Sequence, residues 1–375
     1  MGVIAFTLDG EWMREFMRFP QRLYRDDDGW VPPLEAAVYA QLDPDADFLR
    51  QPGNAQRHFI ARLRHRTLGR VTASINAALK DENGAPIGCL GGFEAVADPA
   101  VADDLIGAAM RWLRDRHAVR RILGPMNFDV WHGYRFMTRG FAEQRFLGEP
   151  YNPPYYPELF ERSGFALRQR WHSYEAPAAA YQDYERRARE KQPLLRDLGY
   201  RFVAFDRTQL GKEFRKLHHL LHRCYGHFPA FTPISPQEFA SIAQPLRHAL
   251  LPGSAVFVHD EHDQPCGFAV ALLDLAEALR AMRGRNSCLA WARFLQVRRR
   301  ARRTFLHMVG LVPEHAQRKR GLGAVLMAQV AAELRAHGQA PQLAALVAQG
   351  SPSQKHLERI GASATREYAL YEARA

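Results

Sequence analysis

The stretch Thr304-Phe305-Leu306-His307-Met308-Val309-Gly310-Leu311-Val312-Pro313-Glu314-His315-Ala316-Gln317-Arg318-Lys319-Arg320-Gly321-Leu322-Gly323-Ala324 decides how this chain is read. A strand-length apolar run leads into a basic loop, and the loop opens into an amphipathic segment, 325–337, that predicts a helix. Strand, loop and helix N-terminus together make an anion site, because first-turn N–H groups lack helical partners and the helix dipole favours negative charge. Gly321 and Gly323 allow close approach to the backbone, and Arg318, Lys319 and Arg320 add positive charge. The spacing Arg318-x-x-Gly321-x-Gly323 is neither a Walker loop nor a dinucleotide G-x-G-x-x-G.

Residues 343–348 predict a buried strand, 352–361 a helix ending at Gly361, and 365–372 a last alternating strand. With these flanking elements the loop resembles the pyrophosphate loop of the GNAT N-acyltransferase superfamily, whose members bind acyl-coenzyme A there. The resemblance implies acyl-CoA as co-substrate, contacted by Leu311, Val312, Gln317, Arg318, Lys319, Arg320, Gly321, Leu322, Gly323 and Ala324. It also implies that a main-chain N–H near Leu311 and Val312 polarises the thioester carbonyl. The segments Trp30–Leu34, Gly124–Phe128, Tyr155–Phe165, Gly267–Ala269 and Asp274–Gly284 are similar to a bacterial tandem-GNAT group covering nearly the whole chain. More loosely, they resemble bacterial ceramide synthase, which acylates a sphingoid amine. The chain departs from the superfamily at Leu357 and Phe160, where a thiolate-protonating Tyr is usual. It also departs from the group near Gly350-Ser351 and at Ala276, where Asn is expected.

At 375 residues the chain is long enough for two cored domains. Its 47% hydrophobic and 24% charged content describes a globular protein rather than a disordered one. No apolar run reaches membrane-spanning length, and the N-terminus has no signal-peptide pattern. Cys89, Cys224, Cys266 and Cys288 are widely spaced, which argues against a disulfide framework and for a reducing cytoplasm. The net charge of +11 favours polyanionic partners. Nucleic acid ranks low among them, because no helix-turn-helix, zinc-finger or RNA-binding signature is present.

A charged helical segment separates two similar halves. Tyr155–Phe165 and Gln354–Ala362 share a helix-then-Gly ending followed by a strand pattern, which suggests tandem duplication. The expected fold is α/β (α+β), with two tandem GNAT-like domains of mixed, mostly antiparallel sheets flanked by helices. Residues 1–178 form a degenerate half without a phosphate loop, 179–199 a helical linker, and 200–375 the acyl-CoA-binding half. In the first half the loop position reads Glu94 to Asp104, and its acids would repel a diphosphate.

Acyl transfer needs an amine that loses a proton, a polarised carbonyl and a departing thiolate. His307 and Glu314 flank the loop strand, and His132 and Tyr134 lie in the polar-aromatic run 127–134; these four are the catalytic candidates. Asp274 and Glu277 could hold an acceptor ammonium. No metal is expected: His218 and His222 have i,i+4 spacing but no accompanying carboxylate or third ligand. Leu289, Trp291, Ala292, Phe294 and Leu295, followed by the arginine cluster 298–303, fit an amphipathic helix at an anionic membrane surface or a packed helix with a basic turn. The expected protein is an acyl-CoA-dependent N-acyltransferase acting on a primary amine, lipid or sphingoid in kind, in the cytoplasm or peripheral at the inner membrane. The alternatives are acetylation of a small amine or protein, and a non-catalytic acyl-CoA-binding module.

Overall fold

The structure is a computed structural model describing residues 1–7, 10–228, 230–318 and 320–375, with backbone alone at 178, 180, 181, 183, 184 and 340–343. The first half comprises β1 (Gly2–Phe6), α1 (Gly10–Leu23), α2 (Glu35–Leu42), β2 (Ala55–Leu63), β3 (Arg66–Lys80), β4 (Pro86–Ala95), α3 (Pro99–His117), β5 (Arg121–Gly124), β6 (Phe136–Arg139), α4 (Tyr156–Arg162) and β7 (Ala166–Glu175). Helix α5 (Ala178–Asp197) leads into β8 (Arg201–Ala204), α6 (Leu210–Tyr225), α7 (Pro236–Ala243), β9 (Ala255–His259), β10 (Pro265–Leu273), α8 (Ala276–Met282) and α9 (Cys288–Arg298). Then come β11 (Arg303–Leu311), α10 (Pro313–Ala316), α11 (Leu322–Ala336), β12 (Ala340–Ala344), β13 (Val347–Ala348), α12 (Pro352–Arg359) and β14 (Ser363–Arg374).

Period-2 patterning places the first sheet between two apolar layers. Val71, Ala73 and Ile75 of β3 pack with Leu105, Ile106 and Ala109 of α3. Arg70, at the alternate parity, donates to the Phe16 carbonyl of α1 at 2.8 Å. Helix α3 starts where Asp98 caps the Ala100 N–H at 2.9 Å and stops at left-handed Ala118.

Among the described residues the sheets run β1-β2-β3-β4-β5-β14-β7-β13, with β6 also on β14, and β12-β11-β10-β9-β8. The chain's last strand therefore lies in the sheet of the first half, between β5 and β7. The single strand expected over 343–348 is two. Strand β12 pairs in parallel with β11, and after Leu346, which adopts a φ of +56°, β13 pairs with β7. The continuous apolar run conceals this break because both pieces pair as strands.

An ion network fastens the crossing. Arg366 of β14, fully buried, binds Glu149 at 3.1 Å and Glu175 of β7 at 3.0 Å. Glu175 also accepts from Arg303 of β11 at 2.9 Å, and Arg303 reaches Asp274 at 3.3 Å. Buried charges persist only when paired in this way.

Candidate active site

Strand β11 is paired on both edges only as far as Leu306. Its parallel register with β12 ends at Leu306↔Ala344, and the chain then turns away to β7. From His307 to Leu311, β10 is the only strand that pairs with β11 among the described residues. This opens a notch whose wall offers main-chain polar groups. Against β10 the register steps from Val270↔Met308 to Ala271↔Leu306, so His307 is the extra residue of a bulge. Bulges of this kind re-aim side chains next to active sites. The Val309 carbonyl accepts a 2.7 Å hydrogen bond from the Tyr225 hydroxyl. The Val312 N–H, expected at the thioester carbonyl, instead donates to the Cys266 carbonyl at 3.0 Å. Of the pair singled out in the sequence, Leu311 remains as the notch residue.

Beyond the strand, α10 carries the chain round to Gly321, which takes a φ of +76° and caps α11 without any side-chain hydrogen bond. Leu322 is buried beneath the helix start, while Gly323 and Ala324 are partly accessible. Gln317, Arg318 and Arg320 are exposed, and Lys319 lies outside the described residues. Arg318 reaches the Tyr200 hydroxyl at 3.4 Å. Lys191 of α5 is a cation the sequence did not reveal here: its Nζ lies 3.4 Å from where a Cβ on Gly321 would stand.

The equivalent place in the first half is closed. Strand β4 pairs in parallel with β5 only at Ile87–Cys89, which leaves a second divergence. Asn127 fills it, accepting from the Gly92 N–H at 2.8 Å. A Cβ on Gly91 would lie 2.5 Å from the Met126 carbonyl oxygen and closer still to the Asn127 amide oxygen. The α3 N-terminus is already capped by the Asp98 carboxylate. Glu94 is held by the Tyr24 and Tyr156 hydroxyls at 2.6 and 2.8 Å.

A cavity of about 1190 Å³ runs between the halves and includes the notch. This is somewhat above the roughly 300–1,000 Å³ of small-molecule sites. His307 and Tyr134, from opposite halves, both line it, as does Tyr225. Burial and the Arg135 charge hold the His307 pKa down at about 4, so the imidazole is neutral near pH 7. Burial raises the Tyr134 pKa, partly offset by Arg135, whose guanidinium donates to the Tyr134 oxygen and stacks 3.7 Å over its ring. Arg135 and Tyr225 were not singled out in the sequence. Tyr225 is the last residue of an ordinary amphipathic helix, and Arg135 lies one place past Tyr134 in the quoted run.

The other candidates separate. Glu314 is exposed and pairs with Arg223 at 3.4 Å, outside the cavity lining. His132 lies, partly buried, between Asp129, at 2.8 Å, and Glu238, at 3.9 Å, and its neighbours Trp131 and Tyr134 line the cavity instead. Asp274 accepts from the Leu147 and Ala276 N–H groups, both at 3.1 Å, so it is committed structurally. Glu277 accepts from Gln144 at 3.5 Å. His218 and His222 bind the 234 main chain at 2.8 and 3.2 Å, stapling a loop to α6. In the arginine cluster, Arg298 donates to the His248 carbonyl and Arg303 is internal, leaving Arg299, Arg300 and Arg302 exposed.

The chain is similar to known proteins over much or all of its length. The family described as FR47-like protein matches residues 292–370, which span the notch strand, loop and α11. Protein YghO of Escherichia coli K12 is 24% identical over 389 aligned positions, covering 99% of this chain and 95% of that protein. The bacterial ceramide synthase of Caulobacter vibrioides is 25% identical over 284 positions, covering 76% and 73%. Among solved structures, a tandem GNAT protein from the clavulanic acid biosynthesis pathway superposes with a TM-score of 0.53 at 12% identity, covering 100% of this chain and 98% of its own. A GCN5-related N-acetyltransferase from Anabaena variabilis superposes with a TM-score of 0.54 at 8% identity, covering 99% and 72%. The chain is thus a tandem GNAT-fold protein, with its open notch and anion loop inside the FR47-like segment of the second half.

Proposed function

We propose that the protein transfers an acyl group from acyl-coenzyme A to a primary amine, and that the amine is a lipid of the sphingoid type. One observation carries the reading: the open edge of β11 at 307–311 is continuous with a largely apolar cavity between the halves and adjoins the side-chain-free cap at Gly321. The diphosphate lies at the α11 N-terminus, held by main-chain N–H groups with Gln317, Arg318, Arg320 and Lys191 around it. The thioester arm lies along β11, and the acyl chain enters the apolar chamber. The amine attacks as its free base: as nitrogen bonds to the carbonyl carbon, neutral His307 takes the proton the nitrogen sheds. The carbon–sulfur bond breaks, Tyr134 protonates the departing thiolate, and the proton on His307 returns to the Tyr134 oxygen to reset the pair. Residues 200–375 supply the coenzyme site, 1–178 the facing wall, and 179–199 the linker, with β14 returning to tie the two.

A lipid acceptor is supported by the ceramide synthase relative and by α9, where Leu289 and Leu295 stand 61% and 49% exposed beside Arg299, Arg300 and Arg302. No helix among the described residues is long and apolar enough to cross a membrane, so surface contact is the proposed mode.

The test is thiol release from acetyl-CoA and palmitoyl-CoA, each with and without a sphingoid base or a small polyamine. Release confined to palmitoyl-CoA with the sphingoid base supports the reading. Release with acetyl-CoA and the polyamine replaces the lipid acceptor with a small one. Coenzyme binding without release points to a binding module, consistent with buried Leu357 standing where a proton donor is usual.

A further inference from the structure

The loop between β5 and β6 carries a cluster that the acyl-transfer chemistry does not use. Asp129 is wholly buried. Its Oδ1 accepts from the N–H groups of Trp131 and His132 at 2.9 and 3.1 Å and meets His132 Nδ1 at 2.8 Å. Its Oδ2, equally buried, has no partner. Across the boundary between the halves, Glu238 of α7 brings Oε1 to 3.9 Å from His132 Nε2, and that oxygen is also buried and unpartnered. One ligand atom from each of the three lies within 4.8 Å of the others. Two carboxylates therefore share the cluster with one imidazole. Two orphaned buried acceptors and a local excess of negative charge are compensated by a cation.

We propose that Asp129, His132 and Glu238 form a divalent transition-metal site, of the Zn²⁺ class, that clamps the β5–β6 loop to α7. Two carboxylate oxygens and one imidazole nitrogen, with a water in the fourth position, is a donor set that zinc accepts. Metal–ligand bonds of about 2.0–2.2 Å hold such ligands roughly 3–3.6 Å apart, so an ion would draw in a cluster whose ligand atoms now lie within 4.8 Å of one another by as much as about an ångström. The clamp joins the two cavity walls at a contact already made by Trp131, whose indole N–H donates to the Thr232 carbonyl at 2.9 Å. On this proposal His132, one of the four catalytic candidates from the sequence, acts as a structural ligand.

Untagged full-length protein, stripped with chelator and dialysed, is titrated with Zn²⁺ by calorimetry and with Co²⁺ by visible absorption. The wild type is expected to take up a single equivalent, to give a four-coordinate Co²⁺ band, and to melt higher with metal. Glu238→Gln and Asp129→Asn are expected to weaken uptake at least about 10–100-fold. His218→Gln, at the neighbouring histidine pair, should leave it unchanged. Absence of stoichiometric uptake by the folded wild type overturns the proposal and leaves the hydrogen bond between His132 and Asp129. Full uptake retained in Glu238→Gln, or lost in His218→Gln, overturns it equally by moving the ion elsewhere. Should Asp129→Asn fail to fold, Glu238→Gln and the wild-type Co²⁺ spectrum decide.

Discussion

The Tyr225 hydroxyl donates a 2.7 Å hydrogen bond to the main-chain carbonyl of Val309, in the part of β11 that β12 has left. The last residue of α6 thus braces the notch strand where a neighbouring strand would otherwise do so. Tyr225→Phe leaves that carbonyl unpaired and should destabilise the protein by about 1–3 kcal/mol, measured by urea unfolding. It should also slow transfer, since the strand positions the thioester. An unchanged midpoint would mean that water replaces the hydroxyl.

Two histidines set the acid limit. Burial holds His307 at about 4, as it does His58, which is packed against Phe6 and Phe16 with Thr72 at 3.0 Å. In the unfolded chain both titrate near 6.5, so below that pH the unfolded state binds the extra protons. Stability should therefore fall as pH drops from about 6.5 to about 4, by up to about 3 kcal/mol per histidine, and the loss should level off below 4. Chemical denaturation across that range measures the slope. His58→Gln and His307→Gln should each flatten it, and only His307→Gln should also lower transfer, by about 10²-fold or more.

The elements that could be read from sequence are those whose signals are local. The strand–loop–helix at 304–336 declares itself through apolar spacing and Gly321. Partner choice is not local. The alternating pattern of β14 fits either sheet, and long-range partners fix it in the first, among them Glu149 and Glu175 for Arg366 and Arg121 for Glu372. For the same reason Arg303 looked like one more surface arginine, although Glu175 and Asp274 bury its charge. The plug in the first-half divergence is equally invisible, because nothing in Asn127 itself says that it will bond Gly92.

Helix α9 gives a membrane prediction. Vesicles containing anionic lipid should bind the wild type in a flotation assay, and Leu289→Ser with Leu295→Ser should abolish it. Replacing Arg299, Arg300 and Arg302 by Ala should weaken binding by about 3 kcal/mol, roughly a hundredfold, on anionic vesicles only. Equal behaviour of all three proteins would make α9 a packed surface helix.

The central claim is that the α11 N-terminus holds the coenzyme diphosphate, and Gly323→Asp tests it most directly. A Cβ at Gly323 meets only Leu311 Cδ1, at an ordinary 3.5 Å, so the variant should fold. An acid in the first helical turn should stabilise the helix by a few tenths of a kcal/mol while repelling a diphosphate. Calorimetric titration with coenzyme A should therefore show binding by the wild type and at least about a tenfold loss in Gly323→Asp, with the melting temperature held or raised. Equal affinity in the two proteins would place the coenzyme elsewhere and contradict the account.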